Sequence, residues 1–423
     1  MAGYLTSAAV KARLDTLATT YPALCKRSGP ADWAAGWGGG LSGYVKVGAS
    51  TAASPSPRWA VLITGGVHAR ELAPPDALMT FLEKMLAAYT ASSAITYPAW
   101  TDPVSKIVYN SFTIPWPWVR RAVEYLDLYV VPLVNDDGRD FVLASGVPPA
   151  DQQLHKMWRK NRRAAPSGLT DPKAVGVDIN RNFDILWNFP LHYDTSLSDL
   201  AMHASTNPVD ENYIGDVTSG SAESEPEVKN VANLMRSKQV SYYLDVHLVG
   251  RDVLYPWGIE SNQNATPAMN FTSASFDGKR DGISHAGYKE YIPKDMEAAS
   301  AAAARHIADQ ILDKAGGSDP RGRARSTYKA IPSAQMYVAS GTTADYCFSR
   351  WFAPVTGGAP TSPVMALVLE AGGDPKLGPA YNEGYFSPDY VKNYPKLERE
   401  VHVGAWTFLS MASATAFVQP VAP

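Results

Sequence analysis

The sequence has few cysteines, no long apolar run and almost no net charge. Cys25 and Cys347 are the only two cysteines among 423 residues, which excludes a disulfide-rich framework and leaves open a single bridge between them. No stretch of about eighteen consecutive apolar residues occurs, which argues against a membrane-spanning helix. The formal charge is -3. We therefore expect neither nucleic acid nor an anionic membrane as a partner.

An export signal is also missing from the start of the sequence. The first residues lack a basic segment followed by an apolar run and a small-residue cleavage site, and they are more typical of an amphipathic helix. The compartment stays open between a secreted mature form and a cytoplasmic protein. We expect residues 1–58 to form a helical and loop segment packed on the folded domain, with any signal or propeptide absent or removed.

The composition is that of a globular protein with a large core. Hydrophobic residues make up 45% of the chain and aromatic residues 11%, enough to bury an extensive interior. Neither an internal repeat nor a linker-like segment is visible. We therefore expect one compact domain over residues 1–423 and a monomer.

Four short apolar segments rich in β-branched residues predict buried strands, and each ends in polar or turn residues. They are WAVLITGG from Trp59, YLDLYVVPLVN from Tyr125, VSYYLDVHLV from Val240 and SPVMALVLEAGG from Ser362. Stretches of helical periodicity lie between and after them. The pattern predicts an α/β fold with a mixed, mainly parallel, twisted sheet flanked by helices, and open sheets of this kind bind ligands beyond the carboxyl ends of their strands.

A metal site is indicated by the polar residues at these strand ends. His68 and Glu71, in HARE, offer an imidazole and a carboxylate three residues apart after the first strand. On its own this pair is more often a surface histidine near an ion-paired glutamate. His247 follows another apolar strand and provides a third donor, although it also fits a buried core histidine. Two histidines and one glutamate form a recognised catalytic zinc set that leaves one position for water.

With these residues in order, the chain resembles the zinc metallocarboxypeptidases of the carboxypeptidase A and B type. Seven blocks spread over roughly residues 59 to 375 carry the resemblance: GGVHARE, MWRKNRR, GVDINRNFD, SEPEVKNV, LDVHLVGRDVLYPWG, MYVASG and ALVLEAGG. The resemblance implies a carboxypeptidase-like fold, one Zn²⁺ per chain and removal of the C-terminal residue from peptides or proteins.

The resemblance also implies roles for particular residues. His68, Glu71 and His247 match the zinc ligands, with water in the fourth position. Glu370 matches the general base that activates this water. Arg159 matches the donor that, with the zinc, stabilises the oxyanion of the tetrahedral intermediate.

Recognition of the substrate terminus is assigned in the same way. Asn180 and Arg181 match the pair that binds the terminal carboxylate, since a planar guanidinium binds a carboxylate bidentately. Tyr337 matches a mobile tyrosine that closes over the bound terminus, and Arg70 an auxiliary carboxylate-binding residue. Asp178 matches a carboxylate that orients a zinc-ligating histidine, although helix capping would also explain it.

The pocket for the terminal side chain predicts an apolar or aromatic preference. Its floor aligns with Ala344, where an acidic residue would select basic side chains, and other wall positions align with small or apolar residues, namely Leu254, Gly258, Ala339 and Val368. Asp245 aligns near this pocket. If its carboxylate faces inward, it would instead favour a terminal Lys or Arg.

Some features leave other functions open. Residues 259–325 form an enlarged insertion relative to the family pattern, which would reshape the cleft. The same site would serve a related zinc amidohydrolase, such as a cell-wall peptidase or an N-acyl amino acid deacylase. A non-catalytic binding module is the alternative from another class, but the complete set of His68, Glu71, His247, Glu370 and Arg159 argues against it.

Overall fold

A single large β-sheet with helices on its faces forms the centre of the molecule. In the computed structural model, the described residues are 3–29, 31–52, 54–55, 58–103, 106–285, 287–318, 328–352, 364–373, 386, 390 and 394–415. The strands of the large sheet are, in chain order, β1 (Cys25–Arg27), β2 (Val45–Val47), β3 (Trp59–Gly65), β4 (Leu126–Val131), β5 (Tyr242–Leu248), β6 (Asp252–Tyr255), β7 (Lys329–Pro332) and β8 (Met365–Ala371).

The sheet is mixed, with a parallel centre. Its spatial order is β1-β2-β4-β3-β5-β8-β6-β7. The four central strands are parallel to one another: β4 pairs with β3, β3 with β5, and β5 with β8. Strand β2 joins them antiparallel to β4, and β6 joins them antiparallel to β8. The predicted α/β class and mixed sheet are confirmed.

Both faces of the central strands are buried, which explains their nearly continuous apolar sequences. Along β3, Val61 and Ile63 pack into one hydrophobic cluster, whereas Ala60 and Leu62 pack into another. Because successive side chains of a strand point to opposite faces, these clusters lie on the two sides of the sheet. Cys25 belongs to the first cluster and Cys347 to the second, and both are free thiols rather than a disulfide.

The described helices cover the two faces of the sheet. They are α1 (Ser7–Thr20), α2 (Ala73–Thr90), α3 (Trp116–Tyr125), α4 (Asp136–Leu143), α5 (Gln152–Lys156), α6 (Phe189–His192), α7 (Pro226–Lys238), α8 (Lys294–Gln310), α9 (Thr343–Phe352) and α10 (Tyr394–Thr415). Short strands pair outside the large sheet. Ile95–Tyr97 pairs with Phe112–Ile114, and Asn262–Gln263 pairs with Glu290–Tyr291. Val108–Tyr109 lies between Trp100–Thr101 and Gly317–Ser318 and pairs with both. None of the described helices combines the length and the apolar character that crossing a membrane requires.

The turn between β3 and α2 depends on local sequence chemistry. Gly66 has φ +63°, and a Cβ atom there would lie 2.8 Å from both Leu133 Cδ1 and Pro75 Cγ, so a side chain is excluded. Prolines occupy the first turn of α2, where a missing amide donor is harmless. The chain therefore leaves the sheet in a tight, defined turn, and this turn carries the HARE segment.

Residues 1–58 and residues 259–325 both include regular secondary structure. Residues 1–58 include α1, β1 and β2, and Ser7 of α1 donates its backbone N–H to Asp140 at 2.9 Å. Residues 259–325 include a two-stranded sheet and α8. The division into one domain over 1–423 with an enlarged insertion at 259–325 stays a prediction.

A buried carboxyl group in α7 leads to a prediction about stability. Glu227 is 3% exposed, and its Oε1 atom lacks a hydrogen-bond partner. Burial raises its pKa to about 8 from an ordinary value of 4.5. The folded chain therefore binds a proton that the unfolded chain releases, and this contribution makes stability fall as pH rises from about 4.5 to about 8.

We expect Glu227→Gln to remove this fall. Relative to the wild type, the variant should gain on the order of 1–3 kcal/mol in the free energy of unfolding between pH 5 and pH 8.5. Urea unfolding at both pH values measures the difference. Asp151→Asn, at an exposed carboxylate that makes no capping bond, is the control and should show no such gain. A constant difference between Glu227→Gln and wild type at the two pH values would contradict the expectation.

Candidate metal centre

Three adjacent parallel strands bring the candidate residues to one edge of the sheet. His247 is the penultimate residue of β5 and Glu370 the penultimate residue of β8, and the two are register partners. His68 and Glu71 follow the end of β3, which pairs with β5 on its other side. The sheet topology therefore gathers residues that are up to about 300 positions apart at the carboxyl ends of β3, β5 and β8.

The predicted ligands form a compact buried cluster. His68 Nδ1 lies 2.6 Å from Glu71 Oε1, and His247 Nδ1 lies 3.0 Å from Glu71 Oε2 and 3.2 Å from His68 Nδ1. Their donor atoms all lie within 4.8 Å of one another, and each residue is at most 3% exposed. Among the described residues, this is the group that combines three such donors. Two imidazole nitrogens and a carboxylate directed at one point fit Zn²⁺.

The electrostatics of the cluster also fit a cation. Burial raises the pKa of Glu71, but the neighbouring imidazoles of His68 and His247 outweigh it and hold this pKa well below its usual range. Burial lowers the pKa of His247, but the carboxylates of Asp245 and Glu71 outweigh it and raise this pKa well above its usual value. Both shifts arise from oppositely charged groups packed closely together, and a metal ion competes with protons for such donors.

Asp178 joins the ligand cluster to a buried arginine. Its Oδ1 lies 3.5 Å from His68 Nε2, and its Oδ2 accepts a hydrogen bond from Arg159 Nε at 2.8 Å. Oδ1 also accepts the backbone N–H of Asn180 at 3.0 Å, so Asp178 caps the short helix Ile179–Arg181. The capping explanation is thus observed, whereas the orientation of His68 by Asp178 remains a prediction. Although burial raises its pKa, the charge of Arg159 outweighs this and keeps the pKa far below the usual range.

Arg159 offers a hydrogen-bond donor to the site. The residue is 8% exposed and held by Asp178, yet its Nη2 atom is buried and has no partner. Burial alone would lower its pKa, but Asp178 raises the pKa above its ordinary value. An unsatisfied buried guanidinium N–H is costly unless a ligand satisfies it. It can donate to an oxygen that becomes negatively charged nearby.

Glu370 is a buried carboxyl group beside the ligands. It is 7% exposed, and burial raises its pKa to about 8. A Cβ atom added to Gly250 would lie 3.1 Å from Glu370 Cβ, so glycine there leaves room beside this carboxyl group. A group with a pKa near neutrality can both accept and return a proton.

Asn180 and Arg181 are fixed at the wall of the adjacent pocket. Asn180 Oδ1 accepts hydrogen bonds from Thr343 N at 2.8 Å and Thr343 Oγ1 at 2.9 Å, which orients the amide nitrogen as the remaining donor. Arg181 Nε donates to the carbonyl of His203, and its Nη1 donates to the carbonyl of Asn180 at 2.6 Å. These bonds set the plane of a buried guanidinium that suits a carboxylate.

Tyr337 stacks on a residue that the sequence analysis did not identify. The rings of His203 and Tyr337 lie 4.3 Å apart with an interplanar angle of 18°. Arg181 Cζ lies 5.6 Å from the centre of the Tyr337 ring. His203 thus contacts both predicted carboxylate-binding residues. No sequence motif indicates His203, because this residue lies in an irregular segment and is brought to the site only by the fold.

Arg70 is already paired in this structure. Its Nη1 donates to Glu211 Oε2 at 2.6 Å and to the carbonyl of Met157 at 3.2 Å. Its guanidinium carbon also lies 4.2 Å from the centre of the Phe386 ring. To bind a substrate carboxylate, Arg70 would have to exchange its bond with Glu211. Its auxiliary role remains a prediction.

The pocket beside Glu370 is mostly apolar. Leu254, Val368 and Ala344 line it together with Met336, which the sequence analysis had not assigned. Asp245 also lines it, but Asp245 Oδ1 accepts a hydrogen bond from Thr64 Oγ1 at 2.7 Å, and its Oδ2 lies 2.9 Å from His247 Nε2. Asp245, Val368 and Leu254 come from the adjacent strands β5, β8 and β6, where Asp245 pairs with Val368 and Val368 with Leu254.

The chain is similar in sequence to known proteins. The sequence model of a family described as zinc carboxypeptidase matches residues 10–357. Carboxypeptidase O from Bos taurus is 26% identical over 223 residues, or 52% of this chain and 44% of that protein. Carboxypeptidase B from Bos taurus is 28% identical over 203 residues, or 48% of this chain and 36% of that protein. The matches thus span less than half the length of these relatives.

Solved structures show the same fold over nearly the whole chain. Bovine thrombin-activatable fibrinolysis inhibitor, solved in complex with tick carboxypeptidase inhibitor, superposes with a TM-score of 0.62 at 18% identity, covering 97% of this chain and 98% of that chain. Carboxypeptidase A from Helicoverpa armigera superposes with a TM-score of 0.59 at 18% identity, covering 98% of this chain and 75% of that chain.

Proposed function

Because the chain belongs to the zinc carboxypeptidase family, we propose that it hydrolyses the C-terminal peptide bond of peptides or proteins. The observation that carries this proposal is the placement of two kinds of group around one pocket. Asn180 and Arg181 line the same pocket as Glu370, and Glu370 neighbours the ligand cluster. A terminal carboxylate bound by Arg181 would thus lie in the same pocket as Glu370.

The family is zinc-dependent, and His68, Glu71 and His247 are the residues that would hold the ion. When bound, zinc supplies a Lewis acid that polarises the scissile carbonyl and makes water a stronger nucleophile at neutral pH. Asp178 supports His68 from the side of its other ring nitrogen. This outer contact keeps the imidazole in one orientation.

Proton transfer is the task we assign to Glu370. The carboxylate accepts a proton from the attacking water and returns it to the amine nitrogen as the C–N bond breaks. The unpaired Nη2 of Arg159 donates to the carbonyl oxygen as negative charge develops on it. Since Asp178 fixes Arg159, this donor needs little reorganisation.

Restriction to the chain terminus follows from the charge in the pocket. Arg181 is fixed by carbonyl groups and Asn180 by Thr343, so both meet a carboxylate with their donors already oriented. Tyr337 stands over Arg181 and would cover the bound terminus. An internal peptide segment has no carboxylate to satisfy these donors.

We further propose a preference for apolar or aromatic terminal side chains. Leu254 and Val368 form an apolar wall, and Ala344 contributes no charge. Asp245 is the single acidic group on this wall other than Glu370 among the described lining residues, and both of its oxygens face partners within the protein. A Lys or Arg side chain would therefore lose hydration and would have to compete with Thr64 and His247 for the carboxylate of Asp245.

The test is hydrolysis of a panel of blocked dipeptides that end in Phe, Leu, Arg, Lys or Glu, before and after removal of zinc with a chelator. We expect release of Phe and Leu that stops on zinc removal and returns when zinc is restored. The same panel with an amidated C-terminus is the matched control and should be cleaved poorly.

Other outcomes would redirect the assignment. Release of Arg or Lys alone would overturn the apolar preference. Hydrolysis of N-acyl amino acids or muropeptides without any peptide cleavage would favour a related zinc amidohydrolase. Zinc-loaded protein that hydrolyses none of these compounds would contradict the proposed function and favour a binding module.

A further inference from the structure

Asp245 and His247 lie on the same face of β5, because alternate residues of a strand point the same way. His247 Nδ1 faces the ligand cluster, 3.0 Å from Glu71 Oε2, while its other ring nitrogen, Nε2, lies 2.9 Å from Asp245 Oδ2. The two atoms are close, although neither of them makes a hydrogen bond in this conformation. We propose that Asp245 is a positioning residue that orients His247 for the metal from within the wall of the substrate pocket.

The carboxylate of Asp245 is itself held in place. Its Oδ1 accepts a hydrogen bond from Thr64 Oγ1 at 2.7 Å, and Thr64 pairs with it in register across β3 and β5. Thr64 Oγ1 also lies 2.7 Å from Tyr243 Oη. Asp245 is 1% exposed, so water does not compete for these contacts. A carboxylate fixed in this way can fix the imidazole that it faces.

The same arrangement occurs at the other histidine. His68 Nε2 faces Asp178 Oδ1 at 3.5 Å. Each imidazole of the cluster thus has a buried carboxylate at its outer nitrogen. A carboxylate in this position fixes the tautomer, because the outer nitrogen carries the proton and leaves Nδ1 free to bind a metal.

This role also affects the expected preference of the pocket for the C-terminal side chain. Its Oδ1 accepts from Thr64 and its Oδ2 faces His247, so a cationic substrate side chain would compete with His247 for this carboxylate. One residue therefore belongs both to the pocket wall and to the support of the metal ligands. The inference rests on the proposed zinc site, so its test must distinguish a failure of the inference from a failure of the proposed function.

The test compares zinc-loaded wild type with Asp245→Asn, Asp245→Ala and the pocket control Leu254→Ala. Zinc dissociation constants are measured by competition with a chromophoric chelator, and the absorption spectrum of the cobalt(II)-substituted proteins reports ligand geometry. We expect a zinc dissociation constant about 10–100-fold higher in the Asp245 variants, with a changed cobalt spectrum. Hydrolysis of substrates ending in Phe and hydrolysis of substrates ending in Lys should fall by equal factors. Leu254→Ala should weaken binding of the Phe substrate and leave the zinc dissociation constant unchanged.

The results distinguish failure of the inference from failure of the proposed function. Wild type that binds no zinc and cleaves no peptide would refute the proposed function. Active wild type, together with an Asp245→Asn protein that keeps the zinc dissociation constant and cobalt spectrum and loses only Lys release, would overturn the inference and make Asp245 a specificity residue. If Asp245→Ala does not fold, the isosteric Asp245→Asn decides.

Discussion

Replacing Glu370 by Gln is expected to lower kcat by about 10²–10⁴-fold while zinc stays bound. Glutamine keeps the size of the side chain but cannot accept a proton from water. Glu370 is buried, and burial raises its pKa to about 8, so the native carboxyl group is near the pH at which it can accept and return a proton. Steady-state kinetics with a blocked dipeptide ending in Phe, together with zinc analysis of the same samples, measure the effect.

Glu227→Gln is the matched control for this prediction. It makes the same chemical change at another buried glutamate, which lies in α7 and hydrogen-bonds to Asn161 at 3.1 Å rather than lining the pocket. Its kcat should equal that of the wild type. Wild-type turnover by a zinc-loaded Glu370→Gln protein would mean that another group accepts the proton.

The second large effect is expected from Arg181→Ala, which should raise KM for peptides with a free C-terminus by about 10²-fold. A hydrogen bond to a charged group contributes about 1.5–3 kcal/mol, and each 1.4 kcal/mol corresponds to about tenfold in affinity. Arg181 is 1% exposed and held by two carbonyl groups, so its guanidinium is oriented before a substrate binds.

Amidated peptides provide the control for Arg181→Ala. Since they lack the terminal charge, wild type and variant should differ little in cleaving them. Arg181→Lys separates charge from geometry, because a lysine keeps the charge but loses the bidentate fork, and we expect it to recover only part of the affinity. Equal losses on free and amidated peptides would show that Arg181 supports the fold of the pocket instead of binding the terminus.

The position of Asp245 shows where sequence reasoning stopped short. From the sequence, this residue aligned near the pocket and suggested a preference for basic side chains if it faced inward. In the structure it does line the pocket, but its oxygens face Thr64 and His247. Contacts between adjacent strands decide this, and they depend on which strands pair and in what register. Those contacts are not encoded in any local pattern.

Arg70 and Tyr337 make the same point. The sequence offered each as a residue for the substrate terminus, and the alignment of short blocks supported that reading. The structure pairs Arg70 with Glu211 and stacks Tyr337 on His203. Glu211 and His203 lie in an irregular stretch without periodicity, so only the folded chain shows that they reach the cleft.

The sequence by itself determined the elements and the type of chemistry. Apolar β-branched runs specify buried strands, and paired glycines and prolines specify the turn into α2. The blocks from GGVHARE to MYVASG lie within the part of the chain that matches the family. The strands and the turn are local features, since each depends on residues within about ten positions of one another.

Only the tertiary structure decided how the site is assembled. His68 and His247 are separated by 179 residues, yet their Nδ1 atoms lie 3.2 Å apart because β3 and β5 pair in parallel. The same pairing places Thr64 against Asp245, and the next one places Glu370 beside His247. Long-range strand pairing is selected by burial of both sheet faces in one compact core, and that selection acts on the whole chain at once. For this reason His68, His247 and Asp178 could be proposed from the sequence, whereas Thr64 and His203, which contact Asp245 and Tyr337, could not.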